Sequence, residues 1–477
     1  MKLLNENLGL YTDMYQLAMM ETYFTENKHN VPAAFDYFFR KLPFNGGYVI
    51  FSGLSELLNG LAEMKFSDDD IDYLHSQNAN SDFLEYLKHF SFTGNIYSVE
   101  EGSVVFPSEP ILTVEANLIE AQLLETYLLN TLNFNSLIST KASRMRFVAG
   151  NKTLSEFGLR RAPGLGGLQA SKAAVIGGFD STSNVLAAKL FNLNVVGTMA
   201  HSFIQSYDDE LTAFRIFVKS HPAKSVLLID TYNSLESGLP NAITVAKEME
   251  LNGHQLKGIR LDSGDLAYIS KEARKKLDAA GLDYVKIVAS NQLDERVIKS
   301  LIEQGAPIDV FGVGTSLANG LPDATLDGVF KLSFCDNKPR LKVSENTSKV
   351  TLPGLKKIIR FTDDNGFYQA DAIALRTENI IAKIIHPFEN EKTKDLKNLN
   401  SSDITKVVYE NGKAKYKPQN AVELKEKVKE NLAKLPLEYK RFEYPHIYKV
   451  GISEKLLYLR DELKKEFTSN FYKENDL

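Results

Sequence analysis

The chain has 477 residues, with 56 lysines and arginines against 61 aspartates and glutamates, and 43% of it is hydrophobic. That is an ordinary globular composition, too long for one core, since single cores stop growing at roughly 250–300 residues. The mild acidity disfavours a broad nucleic-acid surface, the lone Cys335 cannot form an internal disulfide, no Cys/His cluster has zinc spacing, and no apolar run reaches the ~18 residues of a membrane helix.

Asn5, Glu6, Asn7 and Asp13 interrupt any signal-peptide core, so a cytoplasmic protein is expected. Residues 1–135 mix helix and strand signals. Asp13–Tyr23 reads as a helix, Phe35–Phe39 as a strand, and Gly46–Gly47 as a turn or close backbone approach. Ile96–Val114 alternates short β-like runs with turn signals, which predicts a small antiparallel sheet, and Leu118–Leu132 is an apolar helix.

From 136 to 330 short apolar runs alternate with helical patterns. The expected strands are Thr153–Phe157, Ala173–Ile176, Asn194–Val196, Ser225–Ile229, Gly258–Leu261, Tyr284–Val288 and Asp309–Phe311. Lys271–Ala280 is a helix stopped by Gly281, and Glu295–Gln304 one capped by Gly305. This alternation predicts an α/β fold, an irregular parallel barrel of seven strands. From 331 to 477 the patterns are mixed again. Phe330–Phe334, Arg340–Val343 and Ile358–Phe361 read as strands returning, within 331–420, to an α+β domain built from both ends of the chain. Leu424, Val428 and Leu432 then mark an amphipathic helix, and the Lys/Glu runs at 389–398 and 425–434 read as solvated faces.

Ligands of parallel α/β sheets bind at the carboxyl ends of the strands. Here those ends carry Gly158-Leu159-Arg160-Arg161, Asp180-Ser181-Thr182-Ser183, Gly197-Thr198-Met199-Ala200-His201, Asp230-Thr231, Asp262-Ser263-Gly264-Asp265, Ser290-Asn291-Gln292 and Gly312-Val313-Gly314-Thr315-Ser316. Glycine beside Ser or Thr exposes amides and hydroxyls that cradle phosphate. Arginine adds bidentate anion recognition, and aspartate can bind Mg²⁺, accept from ribose hydroxyls or favour a sugar cation. The set points to a phosphorylated sugar with magnesium. Each residue also has a plainer reading. A histidine is most often structural, Tyr15 and Phe157 could be core, and Arg160 and Arg161 surface charges. Asp230, Asp262 and Asp265 could be helix N-caps, and Arg260 could form an ion pair with Asp262.

Thr12-Asp13-Met14-Tyr15-Gln16, Phe38-Phe39-Arg40-Lys41-Leu42-Pro43, Phe157-Gly158-Leu159-Arg160-Arg161, Gly197-Thr198-Met199-Ala200-His201-Ser202-Phe203, Arg260-Leu261-Asp262-Ser263-Gly264-Asp265, Gly312-Val313-Gly314-Thr315-Ser316 and Lys349-Val350-Thr351-Leu352-Pro353-Gly354 together resemble the nicotinate phosphoribosyltransferases. The resemblance implies a type II phosphoribosyltransferase fold. It implies that nicotinate and 5-phosphoribosyl 1-pyrophosphate become nicotinate mononucleotide and pyrophosphate, in NAD biosynthesis. It implies coupling to ATP hydrolysis through phosphorylated His201, with Mg²⁺, in a homodimer with shared active sites. Asp262 would be the catalytic carboxylate and, through water, a magnesium ligand. Nicotinate would meet Tyr15 of the partner subunit, Phe157, Arg160, Ser183, Thr198 and Arg260. The phosphoribosyl pyrophosphate would meet Arg161, Asp230, Ser263, Gly264, Gly312, Gly314, Thr315 and Ser316.

Ser183 bears on the choice of pyridine. Relatives using nicotinamide carry an aspartate near this place, and a carboxylate would repel nicotinate. Asp180 lies close in sequence and weakens that argument. The near alternative is a nicotinamide- or quinolinate-using phosphoribosyltransferase. A barrel aldolase or isomerase would want a Schiff-base lysine or a metal-ligand set at the strand ends, and neither is seen there. A non-catalytic phosphosugar-binding protein would bind phosphoribosyl pyrophosphate without releasing pyrophosphate.

Overall fold

Between residues 153 and 313 the apolar runs become a wholly parallel sheet of six strands: β1 (Thr153–Glu156), β2 (Ser181–Thr182), β3 (Val226–Leu228), β4 (Gly258–Leu261), β5 (Lys286–Ala289) and β6 (Val310–Val313). The computed structural model describes residues 8–344 and 350–474, so Asn5, Glu6 and Asn7, and Lys349 at the head of its motif, lie outside the described residues. The strands are ordered β2-β1-β6-β5-β4-β3. A parallel bridge from Thr182 to Val195 adds one residue beyond β2. In chain order this is a cycle, from β1 through β2 and Val195, then β3 to β6 and back to β1. It is the order of a barrel with one seam, between Val195 and β3, across which no ladder runs among the described residues.

Strands covered on both faces need near-continuous apolar sequence. Leu154, Leu227, Leu228, Ile259, Leu261, Ile287, Phe311 and Val313 are accordingly buried. The helices between strands obey local rules. Asp265 caps Leu266–Ala279 through the Tyr268 amide, and Asp294 caps Glu295–Glu303. Gly281 and Gly305 take left-handed φ of +68° and +70° just past the ends of these helices.

Two of the seven expected barrel strands fail. Ala173–Ile176 is not a strand but the end of helix Gly164–Ile176, whose last turns are buried on every side. Asn194–Val196 contributes only the Val195 bridge. The strand between them is Ser181–Thr182, so six strands form rather than seven. Helix Leu118–Leu132 continues to Ala149, because neither glycine nor proline interrupts the chain before Gly150.

The described chain divides into two compact units: Ile138–Ala324 with Asn420–Lys425, which holds the barrel, and Met1–Leu137, Thr325–Gln419 and Glu426–Leu477. The second of these contains a seven-stranded sheet. Its order is Lys338–Pro339, Gly328–Cys335, Pro32–Phe39, Leu112–Asn117, Asn95–Ser98, Lys406–Glu410 and Lys413–Ala414. Gly328–Cys335 runs antiparallel to Pro32–Phe39. Ile358–Phe361, expected beside it, lies instead in a separate six-stranded sheet, as part of Lys356–Thr362 paired with Tyr368–Leu375. Arg340–Val343 forms no strand. Among the described residues no helix is long and apolar enough to cross a membrane.

That second sheet buries a charged cluster. The Arg360 guanidinium grips Asp371, with Nε 3.0 Å from Oδ1 and Nη2 2.6 Å from Oδ2, and Nη2 also donates to the Val104 carbonyl at 2.8 Å. Tyr448 donates its hydroxyl to Asp371 Oδ1 at 3.1 Å. Glu109, fully buried, accepts the Phe106 amide on Oε2 at 2.8 Å. Burial, then the Asp371 charge, hold the Glu109 carboxyl well above the usual carboxylate range. The site therefore favours the proton-bearing form of Glu109 beside Asp371.

The folded state keeps a proton on Glu109 that the unfolded chain releases as pH rises through the ordinary carboxylate range. The stability Glu109 contributes is thus complete below that range and is lost as pH climbs toward its raised value. Glutamine supplies the same donor and acceptor without a proton to lose. Glu109→Gln is expected to raise the thermal midpoint by a few degrees at pH 8, with the gap closing toward pH 4. A gap independent of pH would show that Glu109 is not protonated in the native protein.

Candidate active site

The turns after β3, β4 and β5 and the segment after Val195 meet at the carboxyl end of the barrel. His201 opens the short helix His201–Gln205 there. Its Nδ1 lies 3.1 Å from the Thr231 hydroxyl. Its Nε2 faces Asp230 Oδ1 at 4.0 Å and Asp262 Oδ2 at 3.9 Å, with the imidazole 40% exposed. A ligand can therefore reach this ring.

The two aspartates are built differently. The Asp230 side chain is 1% exposed, and its Oδ2 takes the Asp262 amide at 2.9 Å and the Ser263 hydroxyl at 2.6 Å. Its buried Oδ1 has no hydrogen-bond partner and faces the imidazole. Asp262 accepts the Ser290 hydroxyl at 2.5 Å and stands 3.4 Å from the Arg260 guanidinium. Neither aspartate caps a helix. Asp265 does, so of the three only Asp265 has that plain role.

Arg260 links three segments. Its Nε donates to Ser290 Oγ at 3.1 Å, and its Nη1 donates to Thr198 Oγ1 at 2.8 Å and to the Met199 carbonyl at 3.1 Å. Thr198 and Met199 lie beyond the seam, so Arg260 and the His201–Thr231 contact join the barrel where backbone pairing does not. Gly264 turns the chain after Ser263 at φ +77°.

A second group gathers at β1 and β6. The Phe157 amide bonds the Val313 carbonyl at 2.7 Å. A Cβ on Gly312 would fall 2.4 Å from the Phe157 ring, and one on Gly314 would fall 3.2 Å from the Phe157 carbonyl oxygen. These glycines admit Phe157 first of all, a packing reason that their phosphate reading did not contain. Thr315 and Ser316 start the helix Thr315–Ala318 just beyond. Arg160 and Arg161 sit exposed on the turn Leu159–Arg161. Ser183 is half-buried, its amide bonded to the Glu156 carbonyl at 2.8 Å.

Asp180 is fully engaged elsewhere, 2.5 Å from Arg146 and 2.6 Å from Lys425. Burial works against its charged form, but the bond from Lys425, the Leu154 amide and the Arg146 charge prevail and hold its carboxyl below the usual range. It is thus an ion-pair residue, which removes the objection it raised to the argument from Ser183. Tyr15 is in the other unit, on helix Met14–Thr25, and 52% exposed.

Thr231 and Ser290 stood in the sequence only as members of polar strand ends, without a role, and Glu156 was missed. Glu156 ends β1 and Ser290 directly follows β5, and that position was the available signal. Among the described residues no three His, Cys, Asp or Glu side chains converge into a metal cage. The unpartnered Asp230 oxygen and the half-exposed Asp262 suit a magnesium ion that keeps water and phosphate oxygens for the rest of its shell.

Models of known families match along most of the chain. They are the nicotinate phosphoribosyltransferase N-terminal domain over residues 10–133, the nicotinate phosphoribosyltransferase family over 153–376, and its C-terminal domain over 355–460. A nicotinate phosphoribosyltransferase of Bacillus subtilis is 43% identical over 463 residues, covering 94% of each chain. The crystal structure of human nicotinic acid phosphoribosyltransferase is similar with a TM-score of 0.85 at 30% identity, covering 95% of this chain and 99% of that one. A nicotinate-nucleotide pyrophosphorylase from Pyrococcus furiosus follows with a TM-score of 0.70 at 25% identity, covering 90% and 95%. With near-complete coverage at such identity, the chain belongs to the nicotinate phosphoribosyltransferase family.

Proposed function

We propose that the carboxyl end of the barrel makes nicotinate mononucleotide, for NAD biosynthesis, and that His201 couples the reaction to ATP. The observation that carries this reading is an accessible imidazole facing two carboxylates beside a guanidinium tethered on three sides.

The pyridine nitrogen of nicotinate forms a bond to C1 of the ribose as the bond from C1 to pyrophosphate breaks. An aromatic nitrogen is already a nucleophile, so no general base is required. Positive charge grows on the ribose, and the Asp262 carboxylate favours it. Arg260 and Arg160, with Thr198, hold the nicotinate carboxylate, and Phe157 packs on the ring. Tyr15 of a partner subunit would complete that pocket in a homodimer. Ser183 leaves the pocket free of a repelling carboxylate. Ser263, Gly264, Arg161, Thr315, Ser316 and the turn at Gly312 and Gly314 receive phosphate and ribose oxygens. Asp230 and Asp262 would hold magnesium, which supplies neutralising charge to the pyrophosphate.

In the tautomer that gives Nδ1–H to the Thr231 hydroxyl, 3.1 Å away, the His201 lone pair rests on Nε2. That nitrogen takes the γ-phosphoryl group of ATP, releasing ADP. The phosphoryl group adds negative charge beside two carboxylates. Phosphorylated and free enzyme then differ in affinity for anionic substrates and products, and that difference is the coupling. His201→Ala is expected to abolish ATP stimulation and ADP release while retaining slow, ATP-independent mononucleotide formation. Unchanged ADP stoichiometry in that variant would remove His201 from the coupling.

A further inference from the structure

Glu156 is the last residue of β1, fully buried, and the mechanism above makes no use of it. Its partners are all neutral. Oε1 takes the Gly158 amide in a short hydrogen bond. Oε2 accepts the Thr182 hydroxyl at 2.6 Å and the Ser171 hydroxyl at 2.9 Å. The network spreads from there. Thr182 Oγ1 accepts the Asn184 amide at 3.0 Å, and Asn184 Nδ2 donates to Ser171 Oγ at 3.1 Å. Asn184 Oδ1 also caps helix Val185–Phe191 through the Ala187 amide.

This carboxylate thus ties three segments together: the turn Phe157–Arg161, helix Gly164–Ile176, and the strand that precedes Ser183. A buried carboxyl group is costly unless its hydrogen-bond partners are in place, and fixed donors are what a rigid pocket wall requires. Phe157 and Ser183 flank it, one by sequence and one through the Ser183 amide bonded to the Glu156 carbonyl.

We infer that Glu156 is a positioning residue of the pyridine pocket, setting Phe157 and Ser183 on either side of the ring. The inference rests on the reading of Phe157 and Ser183 as nicotinate contacts. Methionine at this position fills the space but leaves the Gly158 amide and the Thr182 hydroxyl without an acceptor. Glutamine keeps a carbonyl for the amide and puts its NH₂ where Oε2 accepts two hydroxyls; the Ser171 proton can pass to the Gly167 carbonyl, 2.9 Å away, while Thr182 loses its acceptor.

Glu156→Met is expected to raise the KM for nicotinate by about 10- to 100-fold, the scale of a displaced pocket wall. The KM for phosphoribosyl pyrophosphate should rise by a clearly smaller factor, through Arg161 at the far end of the tied turn, and Glu156→Gln should recover part of the loss. Should Glu156→Met fail to fold, Thr182→Val removes one donor at constant shape and should shift the nicotinate KM in the same direction, with Thr182→Ser restoring it. An unchanged nicotinate KM, or equal rises in both KM values, overturns the inference. Phe157→Ala separates the two levels. If it leaves the nicotinate KM unaltered, the pocket reading itself fails. If it raises that KM while the Glu156 and Thr182 variants do not, only the positioning role fails.

Discussion

Arg260→Ala is expected to lower kcat/KM for nicotinate by about 100- to 1,000-fold, the range for losing a preorganised charged donor at a reacting centre. Two losses combine. The guanidinium facing the substrate carboxylate disappears, and Asp262 loses its neighbour at 3.4 Å. The bonds to Ser290, Thr198 and Met199 disappear as well, so the segment carrying His201 is released from β4. Lysine restores the charge but not the fork, since one ammonium cannot serve Nε and Nη1 partners in different directions. Arg260→Lys is therefore expected to remain about 10-fold or more below the native enzyme. Steady-state rates with nicotinate varied, at saturating phosphoribosyl pyrophosphate and ATP, provide the check. A kcat/KM for Arg260→Ala within about threefold of the native value would mean that Arg260 only braces the fold.

The second large effect concerns stability. Arg360→Met is expected to cost roughly 3–5 kcal/mol, as breaking a buried pair does. Arg360 neutralises Asp371, which has no exposed surface, and the guanidinium also stacks 4.5 Å from the Tyr368 ring centroid. Methionine leaves the Asp371 carboxylate with the Tyr448 hydroxyl and the neighbouring Glu109 but no cation. Surface pairs such as Lys275–Glu272, where the lysine is 71% exposed, contribute little by comparison. Urea unfolding followed by far-ultraviolet dichroism measures the difference. A loss below about 1 kcal/mol would mean the cluster reorganises around the vacancy.

The legible parts of the fold share a physical trait. Gly258–Leu261 and Asp309–Phe311 could be recognised because a short apolar run stops at polar residues and a helical pattern follows. Ala173–Ile176 has the same apolar appearance but ends a helix, because a helix buried on all sides loses its 3.6-residue contrast. Ser181–Thr182 shows no apolar signal, being two polar residues paired to β1 by backbone and by the hydroxyl contacts of Ser181 with Ser155 and of Thr182 with Glu156. The site was read one residue at a time. The fold brings His201, Asp230, Asp262, Arg260 and Thr198 into one cluster, and all but Arg260, which lies within β4, follow a strand-like run. The roles of Thr231 and Ser290, and Glu156 altogether, escaped because a hydrogen-bond partner across strands is a fact of three dimensions, while a serine in sequence resembles any other. Gly312 and Gly314 show the reverse case, where a motif suggestive of phosphate also has a steric cause in the Phe157 ring.

The unladdered seam gives the barrel one stave that is held differently from the rest. Five junctions between neighbouring strands are backbone ladders, which separate only by losing several amide bonds together. The last is fastened by side chains, Arg260 to Thr198 and Met199 and His201 to Thr231. Side-chain fastenings of this kind are each worth about 1–3 kcal/mol and can be undone singly. Altering one imidazole therefore acts on the joint that yields most easily. A chemical event of a few atoms can set how firmly the whole ring of strands is closed.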